Sequence, residues 1–154
     1  MGCVLRASGK QFDVDEYLRK SPFTDYHVYR RGEPRFSTKP RGEKNRITGI
    51  NIVISNRSFD SLNRQIRAAI SFLEENRTKI TRLVRFTGLD GPPVLDFGIN
   101  KRDFPGQFDR FSAELVSLAG KLGLAIELSQ YDFTKKPALN KALKRDAAKS
   151  RRAP

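Results

Sequence analysis

The sequence predicts an α+β fold, a two-layer sandwich in which helices cover one face of a mostly antiparallel sheet. Two observations support this prediction. Several short segments alternate apolar and polar side chains, as half-buried strands do. Between them lie segments whose apolar residues recur every three or four positions, which is typical of amphipathic helices. Each helix then has a single apolar stripe, so all of them can pack on the same side of the sheet.

The first half of the chain supplies three strands and one short helix. Residues 3–8 (CVLRAS) alternate two sets of side chains and predict the first strand. A helix should follow, because Asp13 can cap it and Glu16, three positions later, completes a capping-box pattern. Segments 25–30 (DYHVYR) and 47–55 (ITGINIVIS) predict the next two strands, and the second of these is expected to be central in the sheet.

The second half of the chain supplies two helices and two strands. Residues 59–84 have helical periodicity, with room for a bend near Asn76. Residues 94–99 (VLDFGI) predict a strand, residues 110–123 a helix that a glycine ends, and residues 124–131 the last strand. The predicted order is therefore β-α-β-β-α-β-α-β, and its first six elements match the split β-α-β, ferredoxin-like arrangement.

These elements define one predicted domain over residues 2–132, with a basic loop at 32–46. Residues 133–154 form a basic tail without a sustained apolar stripe, which we expect to be disordered. The periodic positions of the sheet and its helices predict a buried core of Leu5, Ile50, Ile52, Ile54, Ile66, Ile70, Leu95, Phe97, Leu115, Leu118, Ile126 and Leu128.

Positive charge is concentrated in two segments of the sequence. The net charge is +13; residues 30–46 carry +5 of it and residues 135–154 carry +7, which leaves +1 for the rest of the chain. The rest of the chain is nearly neutral, so the two basic segments bear on binding partners and on solubility. They do not bear on the fold.

Nucleic-acid binding is one interpretation of this charge, and a solvated loop with a solubilising tail is the other. Basic residues interleaved with aromatic ones suit single-stranded nucleic acid, because cations hold phosphates while rings stack on bases. No RNP1-like string occurs on the predicted strands. The candidate contacts are Tyr29, Arg30, Arg31, Arg35, Phe36, Lys39, Arg41, Lys135, Lys136, Lys144, Arg145, Arg151 and Arg152.

The sequence contains no catalytic, cofactor-binding or metal-binding motif that we can identify. The phosphate-binding, dinucleotide-binding, serine-hydrolase and zinc-protease patterns are all missing. His27 is the only histidine, and the carboxylates are scattered, although two of them could still converge in space. Asp96 lies in a DFG triplet without the other kinase motifs, so we expect it to be a solvent-facing or sheet-surface strand residue. The prediction is a protein that is not an enzyme and has no cofactor.

Membrane attachment is also not expected. The opening MGCVLRAS resembles a myristoylation signal, but that pattern requires Ser or Thr at position six, where Arg6 stands. Cys3 is instead predicted to be a buried strand residue. No apolar run approaches the ~18–20 residues that cross a bilayer, so we expect a cytoplasmic protein.

Four segments, GCVLRASG, YRRGEP, LDFGI and FSAELVSLAGKLGLAIELSQY, resemble a family of small bacterial proteins classed only as a domain of unknown function. The resemblance covers about residues 2–132 and leaves out the basic tail. It implies an α+β domain without established catalytic residues, and for some relatives a suspected role as immunity proteins that neutralise bacterial toxins. We therefore predict a protein-interaction domain whose partner is unidentified. Because this chain is basic, charge complementarity favours an acidic or neutral target over a nuclease.

Overall fold

The computed structural model describes residues 2–21, 23–56, 59, 61–103 and 105–132, and the predicted basic tail lies outside these ranges. The elements within them follow the predicted order, except that two helices replace the long second one. They are β1 (Cys3–Gly9), α1 (Val14–Lys20), β2 (Tyr26–Tyr29), β3 (Thr48–Ser55), α2 (Leu62–Glu75), α3 (Arg77–Val84), β4 (Val94–Asn100), α4 (Ala113–Lys121) and β5 (Ala125–Tyr131).

The strands form one open sheet in the order β2-β3-β1-β4-β5. Three of the four pairings are antiparallel, and only β4 and β5 are parallel, which confirms an α+β fold with a mostly antiparallel sheet. The third strand, β3, is an interior strand, but β1 and not β3 is the middle one. Because β3 and β4 both run antiparallel to β1, they point in the same direction. The start of β3 and the end of β4 therefore lie at opposite ends of the sheet.

One face of the sheet forms the core. Leu5 lies opposite both Ile52 on β3 and Leu95 on β4, and Cys3 lies opposite Phe97; all five side chains are buried. Eight of the twelve predicted core residues are buried, and the other four are half-buried against the core. Two of these four lie on β5, an edge strand that has a neighbour on one side only. The four half-buried residues are Ile54, Ile70, Ile126 and Leu128.

The Asp13 half of the predicted capping box of α1 is confirmed. The Oδ1 atom of Asp13 accepts a hydrogen bond from the backbone N–H of Glu16 at 2.8 Å. The Glu16 side chain points along the helix and pairs with Lys20 at 2.9 Å. Tyr17 is fully buried, and its hydroxyl donates to the backbone carbonyl of Lys79 at 3.1 Å, which ties α1 to α3.

A break at Asn76 separates α2 from α3, where the sequence allows a bend. The side-chain Nδ2 of Asn76 and its own backbone N–H both donate to the carbonyl of Phe72 at 3.0 Å. Such competition from a short amide side chain disturbs helices. The N–H of Ile80 donates to the carbonyl of Asn76 at 2.9 Å, so the four-residue hydrogen-bond pattern begins again in α3. The two helices consequently keep a common buried side.

Asp96 is buried, so the prediction that it faces solvent is wrong. It lies on the face of the sheet opposite the core, where Arg6 approaches it at 3.6 Å and the Ser129 hydroxyl donates to it at 2.7 Å. Arg6 also pairs with Glu127 on β5 at 2.9 Å. The neighbouring strands cover this carboxylate, which a single strand's alternation does not reveal.

Candidate anion-binding pocket

A cavity of 660 Å³ opens beside the end of β4, between the first turn of α2 and the segment after β4, residues 101–103 and 105–112. Three of its apolar lining residues, Phe59, Leu62 and Ile99, are buried or half-buried and form its inner wall. Four arginines line it as well, two from the first turns of α2 and two from the segment after β4. We call this cavity the arginine pocket and define it by Arg64, Arg67, Arg102 and Arg110.

Side chains of the segment itself hold one wall of the arginine pocket in place. The backbone N–H of Arg102 donates to Oε1 of Gln107 at 2.8 Å, and Nε2 of Gln107 donates to Asp109 at 2.8 Å and to the carbonyl of Asn100 at 3.3 Å. The Arg102 guanidinium pairs with Asp109 at 2.5 Å. The Asp109 carboxylate is therefore engaged by its own segment and by Arg102.

Three arginines of the pocket have no ion-pair partner within the part of the chain that the structure describes. No described acidic side chain forms an ion pair with Arg64, Arg67 or Arg110. The pocket is lined by four arginines and one aspartate, which gives a net charge of +3. The first turn of α2 has no acidic residue, so the positive end of its dipole adds to this field. The arrangement attracts anions.

An exposed aromatic ring completes the pocket. The side chain of Phe108 is 92% exposed, which is unusual for so large an apolar group. Phe59 is fixed, because its ring lies 5.0 Å from that of Tyr131 and against the backbone of Gly98, where an added Cβ atom would come within 2.4 Å of it. The pocket thus offers one anchored ring and one ring that is free to contact a ligand.

The basic loop predicted as a contact surface uses part of its charge internally. Arg30 pairs with Asp15 at 2.6 Å, and this hydrogen bond lowers the pKa of Asp15 and raises that of Arg30. Arg35 pairs with Glu43 at 3.2 Å and lies over the ring of Phe36 at 5.8 Å. The first pair ties Arg30 to α1 and the second lies within the loop, so both guanidinium groups are already engaged.

The other predicted contacts are divided between the loop and the tail. Tyr29 packs across Gly49, where an added Cβ atom would come within 2.3 Å of its hydroxyl. Three of the predicted contacts are exposed cations of the loop without an ion-pair partner among the described residues: Arg31, Lys39 and Arg41. The loop joins the end of β2 to the start of β3 and is therefore at the opposite end of the sheet from the arginine pocket. The tail candidates Lys135, Lys136, Lys144, Arg145, Arg151 and Arg152 lie outside the described residues.

Sequence reasoning missed the arginine pocket because charge counted along the chain cancels. The body outside the two basic segments carries only +1, since acidic residues elsewhere in it offset these arginines. One signal was available. Arg64 and Arg67 are three positions apart and share a helix face, and no Asp or Glu lies three or four positions from Arg67 to neutralise it.

Other kinds of site find little support in the part of the chain that the structure describes. No group of three His, Cys, Asp or Glu side chains in these ranges is placed to hold a metal ion. His27 is exposed on β2, opposite Asn51. No described helix is both long enough and apolar enough to span a bilayer.

Comparison with family models, curated proteins and solved structures finds no match for this chain. The resemblance to a family of small bacterial proteins therefore stays a prediction. What the protein binds has to be argued from the geometry of the arginine pocket.

Proposed function

We propose that the protein binds single-stranded nucleic acid at the arginine pocket. The observation that carries this proposal is the set of three arginines without ion-pair partners among the described residues, around a cavity with an apolar wall and an exposed phenylalanine. Guanidinium groups bind phosphate oxygens through paired, charge-assisted hydrogen bonds. An exposed ring adds a stacking surface for a base, a contact that is largely independent of sequence.

The shape of the site favours a single strand over a duplex. Phe108 lies at the margin of a concavity, and only a base that is not already stacked within a helix can place its face on that ring. The overall charge of +13 supports attraction of any polyanion at long range. The last described strand also ends beside the pocket, because Tyr131 contacts Phe59 there.

A protein partner with an acidic surface is the competing proposal, in keeping with the interaction domain that the sequence predicts. Its carboxylates would form ion pairs with the same arginines, but they have no base that could stack on the Phe108 ring. A cytoplasmic location suits either partner and fits a lone, buried Cys3.

We also propose that the first six elements form a ferredoxin-like core. The strand order β2-β3-β1-β4 supports this, with β1 and β2 both antiparallel to β3, provided that α2 and α3 count as one bent helix. On this assignment β5 is an addition, paired parallel to β4 at the edge.

The test compares two double variants that remove the same charge. Binding of a fluorescein-labelled 15-nucleotide oligothymidine is followed by fluorescence anisotropy at low salt for the full chain, for Arg64→Gln/Arg67→Gln and for Arg31→Gln/Arg41→Gln. All four side chains are exposed and none is in an ion pair with a described residue, so circular dichroism should show both variants folded. We expect the pocket variant to bind at least about tenfold more weakly, because two charge-assisted contacts are lost.

The loop variant serves as the control, and we expect its affinity to fall by less than about threefold through weaker long-range attraction alone. Equal losses in the two variants would mean diffuse attraction to a cationic protein and would overturn the proposal. Displacement of the oligonucleotide by polyglutamate of matched charge at the same concentration would favour an acidic protein partner instead.

A further inference from the structure

The arginine pair at the start of α2 recurs in α3. Arg64 and Arg67 are followed 18 positions later by Arg82 and Arg85, with the same spacing of three. Eighteen residues make about five turns of an α-helix, so the second pair returns to the angular position of the first. If the helical phase is kept across the break at Asn76, both pairs lie on the same face.

The buried side of the helices shows that the phase is kept. Gln65 and Leu83 are also 18 positions apart, and both are fully buried. The hydrogen bonds from the N–H of Asn76 to Phe72 and from the N–H of Ile80 to Asn76 keep the four-residue pattern on both sides of the break. The two arginine pairs consequently face solvent on the same side, about 27 Å apart along the helices.

The second pair lines a cationic groove of its own, with a volume of 760 Å³. None of its lining residues is acidic, and Thr78 and Thr81 add hydroxyl donors. Arg82 is positioned by neutral acceptors, because its guanidinium donates to the carbonyl of Lys20 and to the Ser21 hydroxyl, so its charge is not cancelled. Arg85 is exposed and forms no ion pair with a described residue.

The helix surface between the two pairs is acidic. Glu74 and Glu75 are exposed there, and of these two only Glu74 forms an ion pair with a described residue, Arg77 at 3.9 Å. A polyanion lying along this face would be attracted at both ends and not in the middle. Two separate contacts fit this pattern better than a continuous track.

We infer that α2 and α3 form a two-point site in which one nucleic-acid strand contacts both arginine pairs. This inference rests on the proposed function and adds a length requirement to it. At the ~3.4 Å per nucleotide of a stacked strand, the two pairs contact phosphates about eight nucleotides apart. A strand long enough to reach both pairs gains the second contact within one molecule, and a shorter strand occupies the pocket alone.

The experiment measures how the effect of one substitution depends on strand length. Labelled oligothymidines of 4, 8 and 16 nucleotides are titrated with the full chain, with Arg85→Gln, with Lys121→Gln and with the pocket variant Arg64→Gln/Arg67→Gln. Lys121 is an exposed residue at the end of α4, so its replacement removes the same charge outside both pairs. Arg82 is left intact because it bonds to the end of α1.

We expect Arg85→Gln to leave the affinity for the 4-nucleotide strand unchanged. It should weaken binding of the 16-nucleotide strand roughly fivefold, because one charge-assisted contact is lost. For Lys121→Gln, the ratio of the variant's dissociation constant to that of the full chain should be the same at every strand length. An Arg85→Gln ratio that does not depend on length would refute the two-point site. If Arg64→Gln/Arg67→Gln still weakens binding of the short strands in that case, the proposed function stands without the two-point site. If this variant does not weaken binding of a strand of any length, the proposed function fails too.

Discussion

Replacing Ile52 with alanine tests the assignment of the two faces of the sheet. Ile52 is 1% exposed on β3 and lies in register between Leu5 and Tyr26, so the shortened side chain would leave a cavity enclosed by neighbouring strands and helices. Substitutions of this kind in packed cores cost ~2–5 kcal/mol of unfolding free energy. Since a whole domain is stable by only ~5–15 kcal/mol, the loss should be a large fraction of the total.

The assay is guanidinium unfolding followed by circular dichroism, because the chain contains no tryptophan to serve as a fluorescence probe. Val53→Ala is the matched control. Its side chain lies next to Ile52 on the opposite, half-exposed face, so it should cost less than about 1.5 kcal/mol. Both variants should keep the denaturant dependence of the wild-type protein. A larger loss for Val53→Ala than for Ile52→Ala would mean that the faces of β3 are assigned the wrong way round.

Two further predictions concern single side chains. Phe108→Ala should weaken oligonucleotide binding by ~1–3 kcal/mol with an unchanged salt dependence, as loss of a stacking contact requires; the same effect from Phe36→Ala in the basic loop would argue against a specific role. Burial, and then the Asp96 charge, raise the pKa of the Cys3 thiol above its ordinary value of 9.0. As pH rises, the unfolded chain therefore loses the thiol proton at a lower pH than the folded chain does. The free energy of unfolding should consequently fall above pH 9 by up to about 1.4 kcal/mol per pH unit. Urea titrations between pH 7 and 10 should show a smaller fall in the free energy of unfolding for Cys3→Ala than for the wild-type protein. Equal falls would contradict the claim that the buried Cys3 thiol causes this pH dependence.

The elements of this fold were predictable because each depends on local periodicity and capping. The Asp13 cap and the bend at Asn76 both depend on residues within four positions, and both are where the sequence indicates. Asp96 was misjudged because its partners Arg6 and Ser129 come from other strands. Burial of a strand residue on the face away from the core depends on such neighbours, and one strand's alternation carries no information about them.

The arginine pocket was not predictable for the same reason. It combines the start of α2 with a segment that lies about 40 residues further along the chain, and only the fold brings Arg64 and Arg102 to one cavity. Counting charge along the sequence predicted binding at the segments where basic residues are most frequent. In the loop, however, Arg30 and Arg35 are paired with acids that lie close to them in the folded chain. Uncompensated charge is a property of the three-dimensional neighbourhood and not of the local count.

The most direct test of the proposed function is to locate the nucleic-acid contact by nuclear magnetic resonance. Backbone amide shifts of the ¹⁵N-labelled full chain are recorded during titration with unlabelled 8-nucleotide oligothymidine. We expect the largest changes at the arginine pocket, at residues 63–67 and 101–110, with little change in the basic loop at 32–46. Changes confined to that loop, or saturable binding that leaves both pocket segments unmoved, would contradict the claim that the arginine pocket binds single-stranded nucleic acid.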